Sequence, residues 1–437
     1  MGLAQGLIVL DETVVGVALP TIGRDLGISH LTTHWIVNGY LLTLAGLAMA
    51  AGKLGDLLGL QRIFLIGCLI FIVGSLAAGF AESGLELILM RVLQGVGAAA
   101  IFPTAYAMIT TVFAPEHRGL AFGIQTGISC VFISLGPLVG GYFSEVITWR
   151  WIFLINVPII AIAGLIVALT WRQMPSAQTP VAFDTAGLIA MIVALGAISL
   201  AAMQGPDWGW VSAAVIAATI TGLISLAVFV RRELSISHPL IKLRMFADLS
   251  FAGASLVIFA GQLCKLAVIV FGAVYLQRGL NLSPFEAGLA MLPAVLPTVV
   301  GALAAGHLSD RFGEVRPALV GLTCSTLALF ALGIAASYNS YWWIVGPFVL
   351  WGFSAPFAFV PIRRLMLSTV AEADRGQAGG IALTSQLLGG IFGMALVGTI
   401  VVVTDNFGAG FLVAATVCCA ILIFGIFSIR APDASTV

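Results

Sequence analysis

Charge is what this sequence has least of. Asp, Glu, Lys and Arg supply 9% of its 437 residues while 60% are hydrophobic, and mean hydropathy is +1.11. A soluble domain carries roughly 25% charged residues, so a water-soluble protein is excluded and nearly the whole chain belongs in lipid. The 19 basic and 19 acidic residues balance to zero, which leaves no basic surface and no nucleic-acid partner to expect. Cysteine is also scarce. Cys68, Cys130, Cys264, Cys324, Cys418 and Cys419 all fall in apolar runs without metal-ligand spacing; they read as small hydrophobes, and no metal is expected. No HExxH, GxSxG or GxxxxGK(S/T) pattern occurs, and His30, His34, His117, His238 and His307 lie near helix ends or loops. Catalytic residues, an ATP site and cofactors are therefore not expected, and the chain does not read as an enzyme. A receptor would need a sizeable soluble output domain, which loops this short cannot hold. The first apolar stretch runs into Asp11 and Glu12 with no small-residue cleavage site, so no cleaved signal peptide is expected.

Glycine is plentiful, at 50 residues. Small residues let transmembrane helices approach closely, because lipid supplies no hydrophobic drive for their association. Some of these glycines mark a repeat. GKLGDLLGLQR runs from Gly52 to Arg62 and GHLSDRFGEVR from Gly306 to Arg316. Gly52, Asp56, Gly59 and Arg62 thus match Gly306, Asp310, Gly313 and Arg316 at a constant interval of 254 residues. Parallel repeats are what secondary transporters use to rock one half against the other. A transporter built from two related halves is the expectation.

A helix needs about 20 apolar residues to cross the hydrocarbon core. Charged and Gly/Pro-rich breaks cut the chain into fourteen such pieces, near 2–22, 34–53, 63–81, 85–112, 119–143, 151–171, 185–204, 210–230, 250–275, 285–305, 317–336, 341–361, 377–403 and 408–429. The predicted fold is all-α integral membrane, with an N-terminal six-helix bundle over 1–172 and a C-terminal one over 250–430. Between them, 183–232 reads as an inserted two-helix hairpin without a counterpart, and 233–249 as a cytoplasmic connection. Counting Lys and Arg in alternate loops gives fourteen on one side and three, Arg24, Arg150 and Arg278, on the other. Cytoplasmic loops carry the excess, so both termini are expected in the cytoplasm.

Seven motifs stand in order: LDETVVGVALP (Leu10 to Pro20), GKLGDLLGLQR, RVLQGVGAAA (Arg91 to Ala100), GPLVGG (Gly136 to Gly141), WRWIFLINVP (Trp149 to Pro158), FDTAG (Phe183 to Gly187) and YLQRGLNLSPFEAG (Tyr275 to Gly288). Together they resemble the major facilitator superfamily and, within it, the fourteen-helix drug:proton antiporters of multidrug-efflux type. The resemblance covers nearly the whole chain. It implies the major facilitator fold and a proton-driven exporter of hydrophobic or amphiphilic drugs working by alternating access. It also implies a multi-pass protein of a bacterial inner membrane, with protons and lipid as partners, a proton gradient in place of a cofactor, and a monomeric state. A dedicated exporter of one metabolite, natural product or lipid is the alternative. Two positions depart from the family pattern: Gly16 stands where Asn is usual, and Leu57 where Arg is usual.

Asp11, Glu12, Arg91 and Lys265 are the charges within the hydrocarbon zone, where ionisable residues are costly and default to functional sites. Asp11 and Lys265 are related by the repeat interval, as are Arg24 and Arg278, so the two buried charges should lie at matching depth. Lys265 sits ~15 Å from either end at 1.5 Å per residue, too deep to snorkel. It needs a counter-charge, and Asp11 is the expected one in at least one state, which leaves the neighbouring Glu12 as the better proton carrier; a purely structural ion pair is the alternative. By resemblance Arg91 joins the coupling; its alternative is an arginine snorkelling to the outer interface. The four charges cancel, which favours neutral, weakly cationic or anionic amphiphiles over dications. Candidate cavity residues are Asn38, Tyr40, Gln125, Asn156, Gln262 and Trp351. Gly52, Asp56, Gly59, Arg62, Asp310, Arg311 and Gly313 read as a cytoplasmic latch. The spacing of Gly136, Pro137, Gly140 and Gly141 fits a hinge and plain helix packing equally, and the resemblance implies the hinge.

Overall fold

The computed structural model describes residues 1–112, 115–171, 184–236, 239, 242–370 and 375–429, and among them no strand occurs. Helices are the outcome that lipid dictates, since each satisfies its own backbone hydrogen bonds where no water can. The chain divides into two compact units, Met1–Leu195 with Leu282–Leu289, and Gly196–Asn281 with Ala290–Val437. The first unit holds α1 (Gly2–Asp25), α2 (His30–Leu58), α3 (Leu60–Gly79), α4 (Gly84–Val112), α5 (Pro115–Tyr142), α6 (Trp151–Leu154), α7 (Asn156–Thr170) and the start of α8 (Thr185–Trp208). The rest of α8 lies in the second unit with α9 (Ala213–Ser235), α10 (Leu249–Leu266) and α11 (Gly272–Arg278). After α12 (Pro284–Ala290), nearly all of which belongs to the first unit, come α13 (Leu292–Val295), α14 (Pro297–Phe312), α15 (Val315–Ala335), α16 (Tyr341–Ser354), α17 (Val360–Ser368), α18 (Arg375–Thr404) and α19 (Phe407–Ser428).

Among the described residues, twelve helical stretches are long and apolar enough to cross a membrane. The expected spans at 34–53 and 119–143 correspond to α2 and α5, which are helices of 29 and 28 residues but do not belong to those twelve. Within the twelve, Leu249–Arg278 is 94% buried and α1 89%, whereas α9 is 17% buried. The helices that carry Lys265 and Asp11 are therefore deeply packed, and α9 exposes a row of aliphatic side chains.

Each unit follows one packing scheme. In the first, α1 packs on α5, α2 on α4, α3 on α4, and α3 on α7; in the second, α10 packs on α18, α14 on α16, α15 on α16, and α15 on α19. Numbering the main helices of each unit from one to six, these are the same four pairs: first with fifth, second with fourth, third with fourth, third with sixth. The repeat read from eleven residues thus extends through the packing. Backbone conformation repeats as well, since Gly59 ends α2 at φ 102° and Gly313 ends α14 at φ 76°. A side chain is strained at positive φ, which explains glycine at both corners.

Candidate functional site

Asp11 lies midway along α1, where its side chain is sealed from the surface. Arg91 of α4 donates from Nη1 to Asp11 Oδ2, and Asn156 of α7 donates from Nδ2 to Asp11 Oδ1 at 3.1 Å. The guanidinium also donates from Nε to the Ile36 carbonyl (2.9 Å) and from Nη1 to Gln94 Oε1 (3.0 Å), and Gln94 donates onward to Ser75 Oγ at 2.7 Å. Its carbon stands 4.2 Å from the Tyr40 ring centroid and 5.7 Å from that of Phe153. One ion pair is thereby bonded by five helices, α1, α2, α3, α4 and α7, with Phe153 of α6 beside the guanidinium. Removing two charges from water costs several kcal/mol per ion, about what close pairing and full hydrogen bonding must return. The packing around Asp11 supplies the close pairing and bonds both carboxylate oxygens, while Arg91 Nη2 is left without a partner among the described residues.

Asp11, the carboxylate that the sequence reading gave to Lys265, is engaged by Arg91 and Asn156, because the first unit brings its own cation to it. Arg91 does not snorkel: its side chain is wholly buried. The sequence reading also missed Gln94 and Ser75. Gln94 was recoverable, since it stands three residues after Arg91 on the same helical face; Ser75 was not, because only packing of α3 on α4 brings it near.

Other expected residues gather in the same unit. Glu12 is buried beside Asp11, and Asn38 and Tyr40 are buried on α2. Gln125 of α5 is buried, and neither polar atom of its amide has a hydrogen-bond partner among the described residues. Gln5, six residues before Asp11, donates to the Phe102 carbonyl at 2.9 Å; its Oε1 and the Tyr40 hydroxyl likewise have no partner among the described residues. Buried polar atoms without partners are rare and call for a ligand, an ion or water.

The second unit holds a polar chain of its own. Arg363 of α17 donates from Nη2 to Gln386 Oε1 of α18, whose Nε2 donates to Gln262 Oε1 of α10 at 3.1 Å. Counted in the sequence among loop charges, Arg363 is partly buried in helix packing. Lys265 follows Gln262 by three residues and is 8% exposed. A π-helical turn, Ala267–Phe271, begins two residues later; such turns inside α-helices are frequent at functional positions. Trp351 is buried on α16, and its indole N–H has no partner among the described residues.

The glycines of α5 allow backbones to touch. A Cβ on Gly136 would fall 2.0 Å from Thr13 Oγ1, and one on Gly140 2.7 Å from the Val14 carbonyl, both on α1. On another side, a Cβ on Gly141 would lie 2.4 Å from the Pro284 carbonyl, and one on Gly288 2.4 Å from that of Pro137. This contact is why Leu282–Leu289 belongs to the first unit. Ser283 and Glu286 form a capping box at the start of α12, and Glu145 accepts from the Phe285 N–H at 2.8 Å. Pro137 lies inside α5, which continues past it as helix.

At the helix ends, Asp310 is met by Arg364 of α17 at 2.7 Å, and Glu314 stands 3.8 Å from the same arginine. Arg311, the sequence neighbour expected in the latch, lies over the Phe312 ring. Asp56 occupies the last turn of α2, but its side chain lies outside the described residues; Arg62 is exposed near the start of α3. Asp25, which the sequence reading passed over, accepts from Trp149 Nε1 (2.8 Å) and Arg150 Nη1 (3.0 Å), and Arg150 also reaches the Ala81 carbonyl at 3.1 Å. Here WRWIFLINVP ties the end of α1 to that of α3. In FDTAG, Phe183 lies outside the described residues, and Asp184 caps α8 by accepting from the Gly187 N–H at 3.0 Å. Among the described residues, no three His, Cys, Asp or Glu side chains come together as a metal site.

The sequence matches the Major Facilitator Superfamily over residues 1–274 and again over 265–437. It is 30% identical over 402 residues to the tetracenomycin C resistance and export protein of Streptomyces glaucescens, covering 90% of this chain and 73% of that protein. With the multidrug resistance protein Stp of Mycobacterium tuberculosis H37Rv it shares 32% identity over 401 residues, 91% of this chain and 74% of the relative. The cephamycin export protein CmcT of Amycolatopsis lactamdurans is 32% identical over 416 residues, 91% and 83% of the two chains.

Proposed function

Because the chain belongs to the major facilitator superfamily, we propose that it is a proton-coupled secondary active transporter that exports hydrophobic or amphiphilic toxic compounds by alternating access. The observation that carries this reading is the buried Asp11–Arg91–Asn156 cluster on helices packed at the heart of the first unit. Intramembrane charge is expensive and is kept where ions or protons move. Asp11 is held from two sides, so Glu12, the adjacent carboxylate, takes the transported proton, with Arg91 as the cation that answers its change of charge; Lys265 serves the coupling from within the second unit. Asn38, Tyr40, Gln125 and Asn156 of the first unit and Gln262 and Trp351 of the second contact substrate, and the partnerless polar atoms of Tyr40, Gln125 and Trp351 await substrate or water.

In this reading α2 and α5 also cross the membrane, which makes fourteen spans, with both termini in the cytoplasm of a bacterial cell. In sequence, the α8–α9 hairpin falls between two six-helix halves. The Asp56 and Asp310 corners close the cytoplasmic side, and the α5 glycines allow the close helix sliding that opening requires. The protein acts as a monomer. Relatives named for tetracenomycin C and cephamycin support a second reading, a dedicated exporter of one natural product; the relative named for multidrug resistance supports the broader one.

The deciding experiment is flux of a compound panel in proteoliposomes with an imposed pH gradient, inside acidic or outside acidic, repeated with a sodium gradient. Protection of several unrelated amphiphiles supports multidrug export, and a single transported compound supports the dedicated exporter. Flux that follows sodium and ignores pH refutes proton coupling. Glu12→Gln is expected to abolish the pH response, and full coupling in that variant would remove Glu12 from the mechanism.

A further inference from the structure

The sequence reads its cysteines as small apolar residues, yet two of them face each other across a helix interface. Cys264 of α10 and Cys418 of α19 are separated by 154 positions, both are buried, and their sulfurs lie 3.3 Å apart. The Cys418 thiol also reaches the Ala260 carbonyl at 3.7 Å, which leaves its lone pairs toward the Cys264 S–H. A disulfide spans about 2.05 Å, so the sulfurs need approach by little more than one ångström. Cys419, one residue on, is turned by about 100° around α19 and is only partly buried. Cys264 directly precedes Lys265 and stands three residues before the π-helical turn.

We propose that Cys264 and Cys418 form a membrane-buried dithiol that a lipid-soluble hydroperoxide closes to a disulfide, pinning α10 to α19 beside Lys265. One thiol takes the distal oxygen of the hydroperoxide, which leaves as an alcohol, and becomes a sulfenic acid; the second thiol displaces water from it to form the S–S bond. Two thiols are oxidised, the O–O bond is reduced, and the products are a disulfide, an alcohol and water. A charged or bulky disulfide reagent has no path into this buried interface, whereas a small lipid-soluble hydroperoxide can reach it through the hydrocarbon. Oxidation holds α10 in one register against α19, and so arrests a helix whose movement transport requires.

The test treats the purified transporter in proteoliposomes with tert-butyl hydroperoxide and counts thiols after denaturation with a maleimide mass tag. Of six cysteines, wild type should keep four, regain six with dithiothreitol, and yield a linked peptide pair containing Cys264 and Cys418. Cys264→Ala and Cys418→Ala should each keep five. The unfolding temperature should rise on oxidation in wild type alone and fall back with dithiothreitol. A compound shown to be carried in the flux assay should lose most of its transport in oxidised wild type and none in Cys418→Ala. Six thiols surviving in wild type, or a pair formed through Cys419 in Cys418→Ala, overturns the site. A disulfide that forms without slowing transport overturns the arrest. Thiol count and unfolding temperature do not depend on the substrate, so they stand even if the exporter reading fails.

Discussion

Replacing Arg91 with Met tests the central ion pair most directly. Asp11 would lose its cation in a site with no exposure, Gln94 Oε1 and the Ile36 carbonyl would lose a donor, and the Tyr40 ring would lose the guanidinium stacked at 4.2 Å. Breaking one side of a buried pair costs about 3–5 kcal/mol, because the remaining charge is left without compensation. Asp11→Asn alone strands Arg91 in the same way and should cost a similar amount. With both residues replaced, no net charge is buried. The double variant should therefore be at least about 2 kcal/mol more stable than the sum of the singles, the sign of a contacting pair. Reversible unfolding in detergent micelles by titration with SDS reads all four corners of the cycle. Additivity within about 0.5 kcal/mol would show that the pair is not coupled and would undo the reasoning. Arg91→Lys should fall between wild type and Arg91→Met, since a lysine keeps the charge but cannot place donors on Asp11, Gln94 and Ile36 together.

Three further outcomes are expected. Asn156→Ala removes the 3.1 Å donor to Asp11 and should lower stability by about 1.5–3 kcal/mol, the range for a hydrogen bond to a charged group; the same titration reads it. Gly141→Ala and Gly288→Ala each place a methyl 2.4 Å from a backbone carbonyl, so each should separate α5 from α12 and weaken cysteine cross-linking engineered between those helices, with unchanged cross-linking as the contrary result. Asp310→Asn breaks a pair whose side chains are 66% and 47% exposed; its stability cost should stay under about 1 kcal/mol, and a larger loss would mean that the Arg364 corner carries more than a surface contact.

Much of the fold was legible in the residues. The near absence of charge put the chain in lipid, and long apolar runs between charged corners located the helices, because in hydrocarbon a helix is the local answer to every backbone hydrogen bond. The repeat of GKLGDLLGLQR at Gly306 implied duplicated packing, and both glycine corners adopt the positive φ that only glycine tolerates well. Boundaries moved where polar residues continued a helix: α2 runs on to Leu58, beyond the expected end at 53.

The site divided differently. The sequence by itself determined which residues had to matter, since a carboxylate, an arginine or a lysine inside an apolar run carries its cost wherever the chain folds. Who would meet whom was decided by tertiary packing. Asp11 is separated from Arg91 by 80 positions and from Asn156 by 145, and no interval in the sequence links it to either. A buried charge pairs with whichever opposite charge the helices carry to within hydrogen-bonding reach, and that distance is set by the glycine contacts and side-chain volumes of five helices at once. The meeting of Cys264 with Cys418 has the same origin: each is an ordinary apolar position on its own helix, and only the crossing of α10 with α19 turns two small hydrophobes into a pair.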